Sequence, residues 1–239
     1  MLTFYFSLYN ITVIQIAGIL LVALAPCAFW LYLIYKSDKY QLEPKLQIIK
    51  IFLLGAAVAI PVSIIEFVLY PSPLQDNLPI QTAFYVAFIV AGVTEELAKF
   101  LTVRIGAYRT RFFNEPSDGL VYAAAAALGF AFAENIVYIF EFGWQVILLR
   151  GMFSNLAHVL FSVLWGYPLI LAKLGLKSKI WVWLGLIGAI AAHGLFDFLL
   201  FTQSILTWLV VPFFLSMIFV FILMVRHSNR ISQFNPNRS

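Results

Sequence analysis

Seven long apolar stretches constrain this chain more than any other feature. A helix that crosses a bilayer needs about 20 predominantly apolar residues, and seven stretches of the sequence meet that length. Only 11% of the 239 residues are charged, whereas a soluble domain has about 25%. The sequence therefore predicts an all-α polytopic membrane bundle, organised as a single domain over residues 1–239. The stretches, here called spans 1 to 7, are residues 11–35, 47–70, 81–105, 118–141, 151–173, 180–201 and 205–226.

Basic residues alternate from loop to loop and predict how the bundle is oriented. All of the 15 lysines and arginines except Arg150 and Lys99 lie in the loops after spans 1, 3 and 5 or in the C-terminal tail. Cytoplasmic loops carry an excess of Lys and Arg, so the N-terminus is expected outside and the C-terminus in the cytoplasm. Basic residues beside membrane spans also account for the net charge of +4, and no nucleic-acid partner is expected.

Eight ionisable residues remain at membrane depth once the spans are mapped. Each charged group costs about 2.5–3.5 kcal/mol at the centre of a membrane helix on insertion scales. Such residues are retained where they pair inside a bundle or line a wet cavity, which favours a functional site. The eight are Glu66, Glu95, Glu96, Lys99, Glu134, His158, His193 and Asp197.

Four of the spans carry polar residues spaced for one face of a helix, since residues four apart are neighbours on a helix surface. Carboxylates that take a proton from water and imidazoles that bind a metal or polarise a carbonyl are the parts of a hydrolytic site. We therefore predict that the four faces converge on one interior site. The faces combine Glu95 with Lys99, Glu134 with Tyr138 and the adjacent Asn135, His158 with Ser154 and Ser162, and His193 with Asp197.

Alternative roles for these polar residues stay open on the sequence alone. Glu95 and Lys99 can form an ion pair between helices, His158 or His193 can form interhelical hydrogen bonds, and Glu66 can be a lone carboxyl with a helix partner. A proton-coupled transporter also uses buried acids and histidines, although no inverted repeat or pair of broken helices is visible. The HExxH helix of zinc proteases and the GxSG-like and GxGD motifs are absent.

Several elements of the sequence form a pattern found in one protein family. They are EELAK at 95–99, the stretch DGLVYAAAAALGFAFAENIVY at 118–138, His158 with Gly166 downstream, His193, and the early segment 25–44. Together they resemble the PrsW family of membrane proteases, itself similar to the CAAX prenyl endopeptidase and Abi superfamily. The resemblance implies a membrane-embedded endopeptidase, classed with metalloproteases, in the cell membrane of a prokaryote. Similar bacterial proteins cut a membrane-anchored anti-sigma factor.

The resemblance also implies roles for individual residues. We hypothesise that Glu96 activates water while Lys99 stabilises Glu95. If Lys99 turns away from Glu95, Glu95 is the residue that activates water. The superfamily also resembles a scaffold subunit of gamma-secretase, so a non-catalytic membrane scaffold is the alternative function. The resemblance implies catalytic roles for Glu95, Glu96, Glu134, His158 and His193. The expected ligands of a divalent metal such as zinc are Glu134, His158 and His193. Supporting roles are expected for Lys99, Asn135, Tyr138 and Asp197.

Two further expectations concern the membrane. Counted from the span ends, Glu134, His158 and His193 lie in the outer half of the bilayer, and Glu95 and Glu96 lie slightly toward the cytoplasm. The loops are too short for a soluble recognition domain, so substrate selection is expected at or within the membrane. The expected substrate is a single-span protein cut near its outer membrane boundary, with a prenylated or lipidated peptide as the alternative.

Overall fold

Helices form all the regular secondary structure in the part of the chain that the structure describes. A computed structural model of the chain describes residues 12–70 and 78–236, so residue 11, the predicted start of span 1, lies outside the described residues. Six helices are long and apolar enough to cross a membrane, which confirms the predicted helical membrane bundle. They are spans 1, 2, 4, 5, 6 and 7, at Val13–Ser37, Lys45–Leu69, Asp118–Phe142, Val146–Lys173, Ile180–Phe201 and Ile205–Ile231.

Span 3, which carries the two adjacent glutamates, changes helix type along its length. It runs without a break through α-helix Ile80–Phe84, π-helix Tyr85–Val93 and α-helix Thr94–Gly106. It is not among the six long apolar helices, and its last segment is the most polar part of the bundle interior. The hydroxyl of Thr94 donates a hydrogen bond to the carbonyl of Val90 inside the π-helix. Short π-helical segments are frequent at functional sites, and this one ends directly before the glutamates.

Span 4 lies at the centre of the bundle. In an 18-residue apolar stretch of span 4, 72% of the residues are buried within the protein, compared with 11% in the corresponding stretches of spans 1 and 7. Five consecutive alanines, residues 123–127, are fully buried, and small residues let membrane helices approach closely. A Cβ atom on Gly119 would collide with the carbonyl oxygen of Gly166 in span 5, and a Cβ atom on Gly166 would collide with that of Gly119. These two glycines therefore fix the separation of spans 4 and 5.

Spans 5 and 7 are longer than the sequence predicted. Span 5 begins at Val146 rather than at residue 151, and it includes the π-helix Arg150–Ser154. This extension places Arg150, which was assigned to a loop, inside a helix. Span 7 continues to Ile231 rather than ending at residue 226, because polar residues at its end form hydrogen bonds with other parts of the bundle. The Nδ2 atom of Asn229, for example, donates to the carbonyl of Ser37 at 3.3 Å.

Candidate active site

Lys99 lies at the centre of the polar cluster and is fully buried. Its Nζ atom donates to Oε2 of Glu95 at 2.8 Å and to Oε1 of Glu96 at 2.9 Å. The same ammonium lies 3.0 Å from Nδ1 of His158 and 4.6 Å from the centroid of the Phe130 ring. Ionised groups without water need such partners, because the cost of desolvation is otherwise uncompensated. Lys99 thus balances both glutamates, whereas the sequence predicted only its contact with Glu95.

Glu96 accepts hydrogen bonds through both of its carboxylate oxygens and has no exposed surface. Its Oε2 atom accepts from Oγ of Ser162 at 2.9 Å and from Nε1 of Trp165 at 3.0 Å. Its Oε1 atom accepts from Lys99 and lies 3.1 Å from Nδ1 of His193. A carboxylate offers about four acceptor positions, and all four are occupied here. Glu96 therefore joins spans 3, 5 and 6, with little capacity left for a water molecule.

Glu95 differs from Glu96 because one of its oxygens is uncommitted. Its Oε2 atom accepts from Lys99 and lies 3.6 Å from Nδ1 of His158 and 3.8 Å from Nε2 of His193. None of the described residues forms a hydrogen bond with its other oxygen, Oε1. Glu95 is buried but retains 4% exposure. Of the two glutamates, it is the one with room for a water molecule.

His158 uses its two ring nitrogens in different ways. Its Nε2 atom lies 2.9 Å from Oε2 of Glu134, while its Nδ1 atom faces the ammonium of Lys99. An ammonium can only donate, so Nδ1 acts as the acceptor and Nε2 carries the proton that is shared with Glu134. The unprotonated nitrogen of His158 therefore points at the interior of the cluster, toward Glu95.

His193 repeats this arrangement from span 6. Its Nδ1 atom lies 3.1 Å from Oε1 of Glu96, which leaves Nε2 directed toward Glu95. The Nε2 atom also lies 3.4 Å from Oδ2 of Asp197, one turn later in the same helix. The spacing of His193 and Asp197 predicted this proximity, and the distance is longer than that of a good hydrogen bond.

Glu95, His158 and His193 together fit a divalent metal ion. Each offers one ligand atom, the three atoms lie within 4.8 Å of one another, and all three residues are buried. Two imidazoles with one carboxylate are a ligand set of catalytic zinc sites, where ligands at 2.0–2.2 Å lie about 3.4 Å apart. Histidine ligands in such sites donate their second N–H to a carboxylate or another acceptor, as these do to Glu134 and Glu96. A bound ion would displace the Lys99 ammonium from Oε2 of Glu95 and Nδ1 of His158, the two atoms of this ligand set that the ammonium contacts.

Glu134, which the sequence analysis placed among the metal ligands, lies behind His158 at the edge of the cluster. Its Oε2 atom accepts a hydrogen bond from Arg150 at 3.2 Å, and the Arg150 guanidinium lies 3.6 Å from the centroid of the Tyr138 ring. The side chains of Glu134, Arg150 and Asp197 keep 21%, 15% and 19% of their surface exposed. The cluster is therefore partly exposed at this edge and closed at Glu96 and Lys99.

Glu66 and Asn135 lie beside the cluster. The Oγ1 atom of Thr94 lies 3.1 Å from Oε1 of Glu66, which agrees with the interpretation of Glu66 as a carboxyl with a helix partner. The Nδ2 atom of Asn135 donates to Oδ1 of Asn155 at 3.1 Å, and Nε of Arg150 donates to Oδ1 of Asn135 at 3.4 Å. Asn135 thus supports Arg150 and the packing of span 4 rather than facing the histidines.

The predicted catalytic residues all belong to one network of contacts, which also includes residues that the sequence analysis missed. Arg150 was overlooked because it was assigned to a loop, although it was the only basic residue on that side of the membrane. Trp165 was overlooked because tryptophan is common in membrane helices. Its position seven residues after His158, on the same helix face, was the available signal. The network joins Glu95, Glu96, Glu134, His158 and His193 through direct contacts of 3.8 Å or less.

The chain is similar to known proteins over most of its length. The family model described as PrsW family intramembrane metalloprotease matches residues 43–225, a range that contains the whole cluster. Three curated relatives carry the name Protease PrsW. The relative from Geobacillus kaustophilus is 31% identical over 75% of this chain and 78% of its own length. Those from Clostridioides difficile and Bacillus subtilis are 33% and 30% identical, over 77% and 82% of this chain and 79% and 88% of their own lengths. No solved structure matches the chain.

Proposed function

The chain belongs to the PrsW family of intramembrane metalloproteases, and we propose that it is an endopeptidase that uses water activated at Glu95 to cut a membrane-anchored protein. One observation carries this proposal: Glu95, His158 and His193 converge from three different helices, and Glu95 keeps one oxygen uncommitted. Peptide hydrolysis needs a base that takes a proton from water and later gives one to the leaving amine. It also needs groups that stabilise the charge developing on the carbonyl oxygen.

Glu95 has the base role in this proposal. Its Oε1 atom takes the proton of the attacking water as the water oxygen bonds to the carbonyl carbon. The same carboxyl then returns that proton to the nitrogen of the breaking C–N bond. In the metal-free arrangement Lys99, 2.8 Å from Oε2, holds the Glu95 side chain through the oxygen that does not receive the proton. A bound ion would take the place of the ammonium at that oxygen. The hydrogen bonds favour Glu95 over Glu96 as the base because both oxygens of Glu96 already have donors.

The family description implies a metal ion, for which we propose zinc held by Glu95, His158 and His193. When bound, such an ion polarises water and carbonyl oxygens as a Lewis acid. Imidazole and carboxylate ligands suit zinc. In this proposal Glu134 and Glu96 fix the protonation of the two imidazoles so that their unprotonated nitrogens face Glu95. Glu134 therefore acts as a positioning residue, and Glu95 takes the ligand place that the sequence analysis gave to Glu134.

We propose that the substrate is a single-span protein, such as an anti-sigma factor, cut near its outer membrane boundary in the cell membrane of a bacterium. The loops between the described helices are too short for a separate recognition domain. The cluster is partly exposed at Glu134, Arg150 and Asp197. An extended peptide can enter such an edge, because irregular backbone is tolerated at membrane depth where it lines a wet cavity.

Replacement of Glu95 tests the base role. Glu95→Gln keeps the shape of the side chain and removes its ability to take a proton, so cleavage of a tagged single-span anti-sigma factor should fall at least about 100-fold. The matched control is Glu141→Gln, at an exposed position of span 4, which should cleave normally. The measurement is the released fragment on an immunoblot, with the amount of folded enzyme quantified in the same membranes. Normal cleavage by Glu95→Gln would contradict the base role of Glu95, whereas absence of cleavage by the native chain would favour the scaffold alternative.

The position of the cut tests the proposed substrate class. Mass spectrometry of the released fragment should place the cleaved bond within the membrane segment or beside its outer end. A lipidated peptide added in detergent provides the comparison substrate. Efficient cleavage of a soluble peptide with neither lipid nor membrane segment would overturn this part of the proposal, whatever the result for Glu95.

A further inference from the structure

A second cluster of buried carboxylates lies at the other end of span 4. Asp38 and Glu43 belong to the loop between spans 1 and 2, Glu115 to the segment between spans 3 and 4, and Asp118 is the first residue of span 4. Each retains 2% exposure or less. Ligand atoms of Asp38, Glu115 and Asp118 lie within 4.8 Å of one another. Asp118 precedes Glu134 by about 24 Å along the helix axis, so this cluster is separate from the active site.

Three of these carboxylates have one oxygen that is hydrogen-bonded and one that is not. Oδ1 of Asp38 accepts from Oγ of Ser117 at 3.0 Å. Oδ2 of Asp118 accepts from the backbone N–H groups of Asn114 and Glu115, each at 2.6 Å. Oε1 of Glu115 accepts from the Ser232 hydroxyl. The other oxygens, Oδ2 of Asp38, Oδ1 of Asp118 and Oε2 of Glu115, are buried, and no hydrogen-bond donor among the described residues reaches them. Buried polar atoms are nearly always satisfied, so three unsatisfied oxygens in one place indicate a missing partner.

No basic side chain among the described residues forms an ion pair with this cluster. The ammonium of Lys173, the nearby cation, is instead held by the carbonyls of Tyr108 and Phe113, each at 2.6 Å. Burial, with a further contribution from the charge of Glu115, raises the pKa of Asp38 to about 7. Burial also raises the pKa of Glu115. Carboxylates in this setting are costly unless a proton or a cation neutralises them.

We propose that Asp38, Glu115 and Asp118 bind a hard divalent cation, Ca²⁺ or Mg²⁺, through the three oxygens that lack a hydrogen-bond partner. Carboxylate oxygens without nitrogen or sulfur ligands select hard cations. Oxygen ligands of Ca²⁺ at 2.3–2.6 Å are separated by at most about 5 Å, and one carboxylate oxygen from each of the three residues lies within 4.8 Å of the others. Glu43, bonded to the hydroxyl of Tyr122, lies beside these ligands and adds negative charge.

The cation would tie together parts of the chain that are distant in sequence. Asp38 anchors the end of span 1 and Asp118 the start of span 4. Through Glu115 and Ser232 the site also reaches the end of span 7. The role of the cation is therefore structural: it fixes the ends of three membrane helices that otherwise meet at mutually repelling carboxylates.

Calcium titration of the purified full-length protein tests the site. The protein in lipid nanodiscs is first stripped of divalent ions and then titrated with Ca²⁺ by calorimetry, because Ca²⁺ avoids imidazole ligands and does not report on the active site. One saturable site and a rise in the thermal unfolding midpoint are expected, with Mg²⁺ as the competing ion. Asp38→Asn and Glu115→Gln should each weaken binding at least tenfold, whereas the exposed control Glu141→Gln should bind as the native chain does.

Two outcomes would overturn the proposal. The first is the absence of saturable Ca²⁺ or Mg²⁺ binding by the native chain at millimolar concentrations, which would mean that protons alone neutralise the cluster. The second is unchanged affinity in both neutralised variants, which would place the cation elsewhere. If Asp38→Asn does not accumulate, Glu115→Gln and Mn²⁺ binding followed by electron paramagnetic resonance give the same discrimination.

Discussion

Replacement of Lys99 by methionine tests whether charge compensation holds the active site together. The ammonium is fully buried and lies 2.8 and 2.9 Å from the carboxylates of Glu95 and Glu96. Methionine fills a similar volume and forms helices well, so the change removes mainly the charge. Removal of one partner from a buried ion pair costs about 3–5 kcal/mol. At about 2–4 °C per kcal/mol for a domain of this size, the unfolding midpoint should fall by about 6–20 °C.

The assay is thermal unfolding of the purified protein, followed by tryptophan fluorescence. Trp165, one of six tryptophans, donates directly to Glu96, so part of the emission comes from the cluster. The matched control is Lys179→Met, at an exposed lysine before span 6, which should change stability by no more than about 0.5 kcal/mol.

A compensating variant separates charge from shape. The triple replacement Glu95→Gln, Glu96→Gln and Lys99→Met removes the charges together and leaves no uncompensated ion, so it should regain most of the stability lost by the single variant. Native-like stability of Lys99→Met alone would refute the reasoning. A triple variant as unstable as the single one would show that packing around Lys99, and not charge, is decisive.

Three other predictions follow from the packing, the proposed metal and the orientation. Gly166→Ala places a Cβ atom against the carbonyl oxygen of Gly119, and this overpacking should lower the free energy of unfolding by about 1–3 kcal/mol. The control Gly18→Ala has no atom within 4 Å of the added carbon and should be near neutral in the same unfolding assay. A chelator selective for transition metals should abolish cleavage of the single-span substrate, and zinc should restore it; cleavage that persists in metal-free protein would favour hydrolysis driven by glutamate alone. With cysteine introduced at Lys39 or Ser204, a thiol reagent confined to the outside should label only position 204, and the reverse pattern would invert the predicted topology.

Hydropathy and helical spacing predicted much of the fold and many of the polar residues that the folded chain brings together. Apolar length alone located the six long apolar helices, because a bilayer leaves the backbone few alternatives to a helix. The four-residue spacing of Glu95 and Lys99 predicted their contact, since it depends only on the geometry of one helix. The same rule predicted the proximity of His193 and Asp197.

Contacts between helices could not be predicted in this way. Spacing shows which residues share a face but not how far each helix is rotated or shifted against its neighbours. The sequence therefore could not reveal that Glu134 contacts Nε2 of His158 while Glu95 faces Nδ1. It also missed the pairing of Arg150 with Glu134, because the start of span 5 depends on tertiary contacts that draw Arg150 into the helix.

The expected separation in depth illustrates the same limit. Counting from the span ends placed Glu95 and Glu96 nearer the cytoplasm than His158 and His193. In the folded chain these residues are in contact. Span ends are poor reference points because helices tilt and extend past their apolar stretches, as the longer spans 5 and 7 do here.

The way in which Glu96 is satisfied has a consequence for biosynthesis. Its partners Ser162, Trp165 and His193 follow it by 66, 69 and 97 residues, so the ribosome completes span 3 long before the groups that stabilise it exist. Until span 6 emerges, the insertion machinery must shelter a helix whose acidic residues lack most of their final partners. The cluster of Glu95, His158 and His193 cannot form on a nascent or prematurely terminated chain that lacks span 6, so such a chain lacks the proposed active site.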